Sequence, residues 1–171
     1  MLTTSQEIKN YVIAAALIQP EDECEIEPLQ GGVSCMVWKI TSGETRLVLK
    51  QALAKLNVQV DWFSDVKRIE REEQAMRFLQ PFLPEDALPH IVHEDANEHL
   101  YVMTCAPEKA ANWKSQLMSG RFSTEAARHA GDILRRMHVN SQDAHEGQID
   151  VFRDLRYFNE LRIEPFYGYL K

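Results

Sequence analysis

The chain of 171 residues is 44% hydrophobic and 26% charged, which predicts a globular protein of one domain, or of one domain and part of another. Its formal net charge of -7 argues against a general nucleic-acid binder, because such proteins concentrate Lys and Arg to neutralise phosphates. The apolar run "YVIAAALI" near the start is too short to cross a bilayer and lacks the flanks of a signal peptide. We therefore expect neither nucleic acid nor membrane among the partners.

The first part of the chain changes from helical to strand periodicity. Residues 5–18 have apolar side chains at helical spacing, and Pro20 is expected to end that helix. The apolar positions are Ile8, Val12, Ile13, Ala16 and Leu17. Residues 24–53 then alternate in the manner of strands around a Gly-Gly pair and an "SGE" turn, which predicts a three-stranded antiparallel meander.

The second part of the chain predicts a helix over 65–79, ended by a proline-rich stretch, and two short strands in "HIVHEDANEHLYVMT". The clearest later helix spans residues 123–138, with Ser123 as its N-cap. Its apolar face consists of Ala127, Ala130, Ile133, Leu134 and Met137. Five antiparallel strands, one intervening helix and a following helical region predict an α+β fold.

The cysteines and histidines do not predict a metal site. Cys24, Cys35 and Cys105 are odd in number and far apart, and the chain has no CxxC motif. The six histidines lack metal-ligand spacing. Reduced thiols in a cytoplasmic protein are the simplest interpretation.

Lys50 stands at the centre of the alternating run "RLVLKQALAKL". Side chains alternate faces along a strand, so Val48 and Lys50 point to one face and Leu47 and Leu49 to the other. An exposed sheet lysine is the simplest interpretation of the strand alone, because lysine is seldom buried without a partner.

The helix over 65–79 changes that interpretation. On a helical wheel Glu72 falls among Ile69, Met76 and Leu79, and Glu73 lies close to the same stripe. A carboxylate in an apolar stripe is unfavourable unless a cation meets it, and Lys50 is the natural partner. The helical wheel alone does not show whether Glu72 or Glu73 is the partner of Lys50. Glu70, Arg71, Gln74 and Arg77 are expected to be solvated.

These stretches in this order resemble the small lobe of protein-kinase-like phosphotransferases, and above all the aminoglycoside phosphotransferase and choline kinase group. The stretches are "GGVSCMVWKI", "LVLKQALAKL", "RIEREEQAMRFL" and "LYVMTCAPE", and "LKQALAKLNVQ" is also similar to methylthioribose kinases. The likeness implies a nucleotide-binding small lobe over residues 1–106. It also implies a hinge exit and the start of an incomplete helical substrate lobe over residues 107–171.

The resemblance implies roles for residues at the phosphate end of an ATP site. Lys50 would hold the α- and β-phosphates, and Glu72 rather than Glu73 would hold Lys50. Gly31, Gly32 and Ser34 would belong to a turn over the phosphates, where exposed N–H groups meet anionic oxygens. An ordinary hairpin turn is the alternative, and Cys35 stands where related sequences commonly have Asn.

The resemblance also implies an adenine pocket. Val48 would cover the adenine ring, and Met103 would lie at the rear of the pocket. The Thr104 carbonyl and the Ala106 N–H would bind the adenine edge. A core strand is the alternative for this run, and both interpretations can hold together. Cys105 is not expected to be catalytic, because nothing nearby activates its thiol.

The catalytic motifs of the family do not match the chain. Phosphoryl transfer in this fold needs a catalytic aspartate, usually in an HxDxxxxN loop, and a second acidic motif for Mg²⁺. In "HEDANEHL" Leu100 stands where the Asn should be, so we interpret the segment as a turn. Asp143 and Asp150 lie in no matching pattern. The resemblance thus implies ATP and Mg²⁺ as cofactors, with the Mg²⁺ ligands and catalytic residues in a lobe beyond Lys171.

The sequence therefore predicts the N-terminal portion of an ATP-dependent kinase for a small-molecule hydroxyl, inactive by itself, whose acceptor is not identified. A non-catalytic nucleotide-binding or regulatory module and a structural partner of a separate chain are the alternatives. The apolar face of the 123–138 helix is expected to pack on the tail or on another copy of the chain. In the tail, the residues expected to contact this face are Phe152, Tyr157, Phe158 and Leu161.

Overall fold

The computed structural model describes residues 1–29, 32–144 and 146–168. Its strands are β1 (Glu25–Pro28), β2 (Cys35–Ser42), β3 (Thr45–Ala52), β4 (Ile91–Asp95) and β5 (Leu100–Thr104). They form one antiparallel five-stranded sheet in the order β1-β2-β3-β5-β4. The predicted α+β class and the predicted strands are confirmed.

Helices cover both faces of this sheet. The helices before and between the strands are α1 (Ser5–Ala14) and α2 (Arg68–Leu79). On the α1 face, Ile8 and Val12 pack against alternate residues of the central strands such as Leu47 and Leu49. On the α2 face, Ile69 packs against Tyr101 and Ala52. Because strand side chains alternate faces, Lys50 and Val48 project toward the α2 side.

Helix α1 is shorter than the predicted span of 5–18. It begins with a capping box, in which the Thr4 hydroxyl accepts from the Glu7 N–H and the Glu7 carboxylate accepts from the Thr4 N–H. It ends at Ala14 because Ala16 takes a left-handed φ of 55°. The Leu17 N–H then bonds the Val12 carbonyl at 2.9 Å, which closes the helix end in a Schellman motif before Pro20 is reached.

Helix α2 begins at Arg68, three residues later than predicted. The Asp65 carboxylate accepts from the Lys67 N–H at 2.9 Å and holds the preceding residues in a turn. The helix ends at Leu79 as predicted, in a 3₁₀ turn over Gln80–Phe82 that contains Pro81.

The segment "HEDANEHL" contains the predicted turn, which covers residues 96–99 between the end of β4 and the start of β5. The Asp95 carboxylate accepts from the Asn97 and Glu98 N–H groups at 2.9 and 3.1 Å. Strand β5 ends at Thr104, two residues before the predicted boundary at 106, and the two-domain division stays a prediction.

The later helices are α3 (Trp113–Met118), α4 (Thr124–Gln142), α5 (Glu146–Ile149), α6 (Arg156–Phe158) and α7 (Glu164–Tyr167), with a 3₁₀ turn at Asp150–Arg153. Ser123 caps α4, as predicted, by accepting from the Ala126 N–H. None of the described helices is both long and apolar enough to span a bilayer.

The tail packs on α2 through aromatic side chains. The Phe152 ring lies 5.4 Å from that of Phe78, and the Arg71 guanidinium stands over Tyr157. On α4, Leu134 and Ala127 of the predicted apolar face are exposed. Self-association through that face stays a prediction.

The packing of α1 generates a stability prediction. Val12→Ala removes two methyl groups from a fully buried site and should lower the free energy of unfolding by about 2 kcal/mol. The matched change Val92→Ala, at an exposed position of β4, should cost less than about 1 kcal/mol. Urea unfolding followed by circular dichroism measures both, and equal losses would contradict the packing of α1 on the sheet.

Candidate functional site

Lys50 of β3 and Glu72 of α2 form the centre of the candidate site. The Lys50 ammonium donates to Glu72 Oε1 as an ion pair, so the predicted partnership is confirmed. Their side chains are 20% and 43% exposed, which leaves the pair accessible from one side. An ammonium has three donors, so a ligand can still accept from Lys50.

Tyr101 completes this centre. The sheet register places Tyr101 directly opposite Lys50, and its hydroxyl donates to the same Glu72 oxygen at 3.0 Å. Burial, reinforced by the Glu72 carboxylate, raises the pKa of Tyr101. The phenol therefore keeps its proton and remains a donor that orients Glu72 toward Lys50.

Glu73 has a different partner. Its carboxylate accepts from Arg77 at 2.8 Å, and its side chain is only 15% exposed. Burial raises the pKa of Glu73, and the neighbouring Glu94 carboxylate adds to the effect. Both glutamates of the apolar stripe thus meet cations, and only Glu72 meets Lys50 in the described structure.

Arg68, at the first turn of α2, is 7% exposed and donates to four backbone carbonyls. The acceptors belong to Ser34, Leu53, Ser64 and Asp65. A buried guanidinium is unfavourable unless its donors or its charge meet partners. Arg68 therefore ties the Val33–Cys35 turn and the end of β3 to the helix that carries Glu72.

The structure contradicts the expectation that Arg71 is solvated. Its guanidinium carbon lies 6.0 Å from the Phe152 ring centre and 5.9 Å from that of Tyr157. Its Nε and Nη1 atoms are buried without hydrogen-bond partners among the described residues. Stacking between two rings stabilises the cation, so Arg71 fastens the tail to α2.

These elements enclose a cavity of about 470 Å³. Its walls come from the Val33–Cys35 turn, the hairpin over residues 54–64, α2 and the tail helix, which is the continuous helical segment over residues 156–167. Its charged lining residues are Lys50, Arg68, Arg71, Arg162 and Glu72, and its aromatic ones are Trp62 and Tyr157. The lining has four cations and one carboxylate, and a second carboxylate, that of Asp154, lies 3.9 Å from Arg71 behind it. This excess of positive charge suits an anion.

The turn predicted to lie over phosphates is partly described. Gly31 lies outside the described residues. Ser34 lines the cavity, and its carbonyl accepts from Arg68 and from the Leu53 N–H. A Cβ on Gly32 would lie 3.8 Å from the Cys35 carbonyl oxygen, an ordinary contact, so the chain itself leaves room for a side chain there.

Val48 and Met103, the residues predicted to contact adenine, lie on the same face of the sheet as Lys50. Val48 is paired with Met103 in the register, two residues along the strands from Lys50 and Tyr101. Val48 is buried, Met103 is half-buried, and neither lines the cavity. Their adenine contacts stay a prediction.

The two hinge residues differ in exposure. Thr104 is half-buried, and its hydroxyl accepts from the His90 N–H at 2.9 Å. Ala106 is exposed just after the strand. Their roles at the adenine edge likewise stay a prediction.

No group of three or more His, Cys, Asp or Glu side chains that could hold a metal ion occurs among the described residues. Neither a protein-family model nor a curated protein matches the chain. These two comparisons therefore add nothing to the chemistry and geometry of the site.

Several residues of the site were not singled out from the sequence. Arg68 lies four residues before Glu72, hence on the same side of the helix, a spacing that could have found it. Tyr101 could not be found, because its contact with Glu72 depends on the strand register. Arg162 and Trp62 reach the cavity only through the packing of the tail and the hairpin.

The carbonyl contacts of Arg68 generate the next prediction. Arg68→Met removes the guanidinium from four carbonyls, of which those of Ser34 and Asp65 keep a backbone N–H donor, and should lower the free energy of unfolding by about 3 kcal/mol. Arg135→Met, which removes an exposed arginine from a surface ion pair, should cost less than about 1 kcal/mol. Chemical unfolding of both variants is the measurement, and similar small losses would show that the Arg68 contacts contribute little.

Proposed function

We propose that the chain is the nucleotide-binding lobe of an ATP-dependent phosphotransferase that acts on the hydroxyl group of a small molecule. The observation that carries this proposal is the ion pair of Lys50 and Glu72, oriented by Tyr101, at a cationic cavity bounded by the Val33–Cys35 turn. A preorganised ammonium binds phosphate oxygens without first being ordered.

The direction of the strands defines how a nucleotide would lie in the proposed site. From Lys50 to Val48 on β3, the facing residues on β5 run from Tyr101 to Met103. Two residues of strand span about 7 Å. A nucleotide with its phosphates at Lys50 would therefore place its base beside Val48 and Met103, toward the exposed chain at Ala106.

The resemblance to aminoglycoside phosphotransferases, choline kinases and methylthioribose kinases supplies the reaction class of this proposal. In it, the chain binds and orients the phosphates of ATP. The acceptor molecule, the catalytic aspartate and the Mg²⁺ ligands are not assigned to any residue here, because no segment matches the corresponding motifs.

The ion pair generates a binding prediction. Lys50→Met should weaken ATP binding about tenfold or more, because a charge-assisted contact with the phosphates is lost. Lys39→Met is the matched control: Lys39 lies on the same face of the sheet but pairs with Glu27 at 2.8 Å. Its ATP affinity should stay within about twofold of the parent protein, since no phosphate contact is removed.

Isothermal titration calorimetry with ATP measures these affinities, and unfolding curves verify that each variant is folded. Equal losses in the two lysine variants would indicate a general charge effect. ATP binding that is unaffected by Lys50→Met would overturn the proposed site.

The lack of a match to the catalytic-aspartate and Mg²⁺-ligand motifs leads to a prediction about phosphate transfer. The 171 residues should bind ATP without transferring phosphate to aminoglycosides, choline or methylthioribose, because positioning and charge neutralisation by the unassigned groups supply most of the catalysis. A coupled assay for ADP release is the measurement. Steady turnover that disappears in Lys50→Met would show that catalytic residues lie within this chain.

A further inference from the structure

The cavity beside Lys50 has a wall made by the tail helix. Tyr157, Leu161 and Arg162 of that helix line the same cavity as Lys50, Ser34 and Trp62. Lys50 therefore reaches the cavity from the sheet, whereas Arg162 reaches it from an element more than one hundred residues later in the chain.

Two contacts hold this wall in place. The Ser64 hydroxyl donates to the Glu160 carboxylate at 2.7 Å, and the Tyr157 ring stacks on Arg71. Glu160 lies two residues before Arg162, and Tyr157 lies five residues before it. The backbone that carries Arg162 is thus anchored to the hairpin and to α2 at once.

The backbone at Arg162 is also unusual. Residues Asn159–Ile163 form a π-helical turn between α6 and α7, inside a helix that runs without interruption from residue 156 to 167. A π-helical turn inserts an extra residue and redirects the side chains of that turn. Such turns are rare and concentrate at functional sites.

Arg162 differs from the other arginines of the cavity in its partners. Arg68 is occupied by backbone carbonyls, and Arg71 by two aromatic rings and the Asp154 carboxylate at 3.9 Å. Arg162 donates one bond to the Leu161 carbonyl at 2.9 Å and has no carboxylate partner among the described residues. Most donors of its guanidinium fork are therefore open to an anion, and that fork matches phosphate geometry.

We infer that Arg162 is a second phosphate-binding cation, which holds the outer phosphates of a polyphosphate ligand while Lys50 holds the inner ones. This inference rests on the proposed function for the identity of the ligand as a nucleotide. The cation pair itself recognises any chain of two or more phosphates, so an inorganic polyphosphate tests it separately.

The experiment compares AMP, ADP, ATP and inorganic tripolyphosphate by isothermal titration calorimetry on the complete chain. Arg162→Gln should weaken ATP and tripolyphosphate about tenfold and leave AMP within about twofold, since one phosphate reaches Lys50 alone. Arg162→Lys, which keeps the charge without the fork, should recover part of the loss. Arg128→Gln is the charge-matched control, because Arg128 is an exposed α4 residue away from the cavity lining.

The outcomes separate this inference from the proposed function. Tripolyphosphate binding that depends on Arg162, with no added affinity for ATP, would support the inference and overturn the nucleotide assignment. ATP binding that depends on Lys50 but is unchanged in Arg162→Gln would overturn the inference alone. Equal losses for AMP and ATP, or the same loss in Arg128→Gln, would also overturn it. Absence of binding to every one of the four ligands at millimolar concentration would overturn both.

Discussion

The buried guanidinium of Arg68 is the interaction on which the site depends. It donates to carbonyls from the turn before β2, from the end of β3 and from the hairpin that follows. Without these carbonyls the guanidinium would be an unpaired buried charge, which is strongly unfavourable. The same side chain therefore holds the turn, the strand and the helix in one relative position.

That position determines what the rest of α2 can contact. Glu72 follows Arg68 by one helical turn, so the same side of the helix that fastens the backbone also presents a carboxylate to Lys50. Arg71 lies on the adjacent side and reaches the tail aromatics. A single helix of 12 residues thus joins the sheet, the turn and the tail around one cavity.

The cations that line the cavity differ in whether a protein group already occupies them. Three of its four cations have local partners: a carboxylate for Lys50, carbonyls for Arg68, and aromatic rings with the Asp154 carboxylate for Arg71. These partners fix the positions of the side chains. Arg162, an exposed residue, lacks such a carboxylate or aromatic partner in the described structure, so its charge is the one most available to an anion that enters the cavity.

The sequence predicted those parts of the fold that depend on the spacing of residues close together in the chain. Alternation gave the five strands, helical spacing gave α2, and proline ended it at Leu79. The helix boundaries at Ala14 and Arg68 were missed because they depend on the left-handed Ala16 and on a turn capped by Asp65, features that hydrophobic spacing does not report.

The sequence by itself determined the α+β class, the face shared by Lys50 and Val48, and the presence of inward carboxylates on α2, because each follows from a periodicity of two or 3.6 residues. Only the tertiary structure decided which charges meet. The strand register places Tyr101 opposite Lys50. Glu73 forms an ion pair with Arg77, and part of the Arg71 guanidinium is buried. Arg162 reached the cavity through the packing of the tail. Contacts between distant segments depend on how whole elements pack, and local patterns contain no information on that packing.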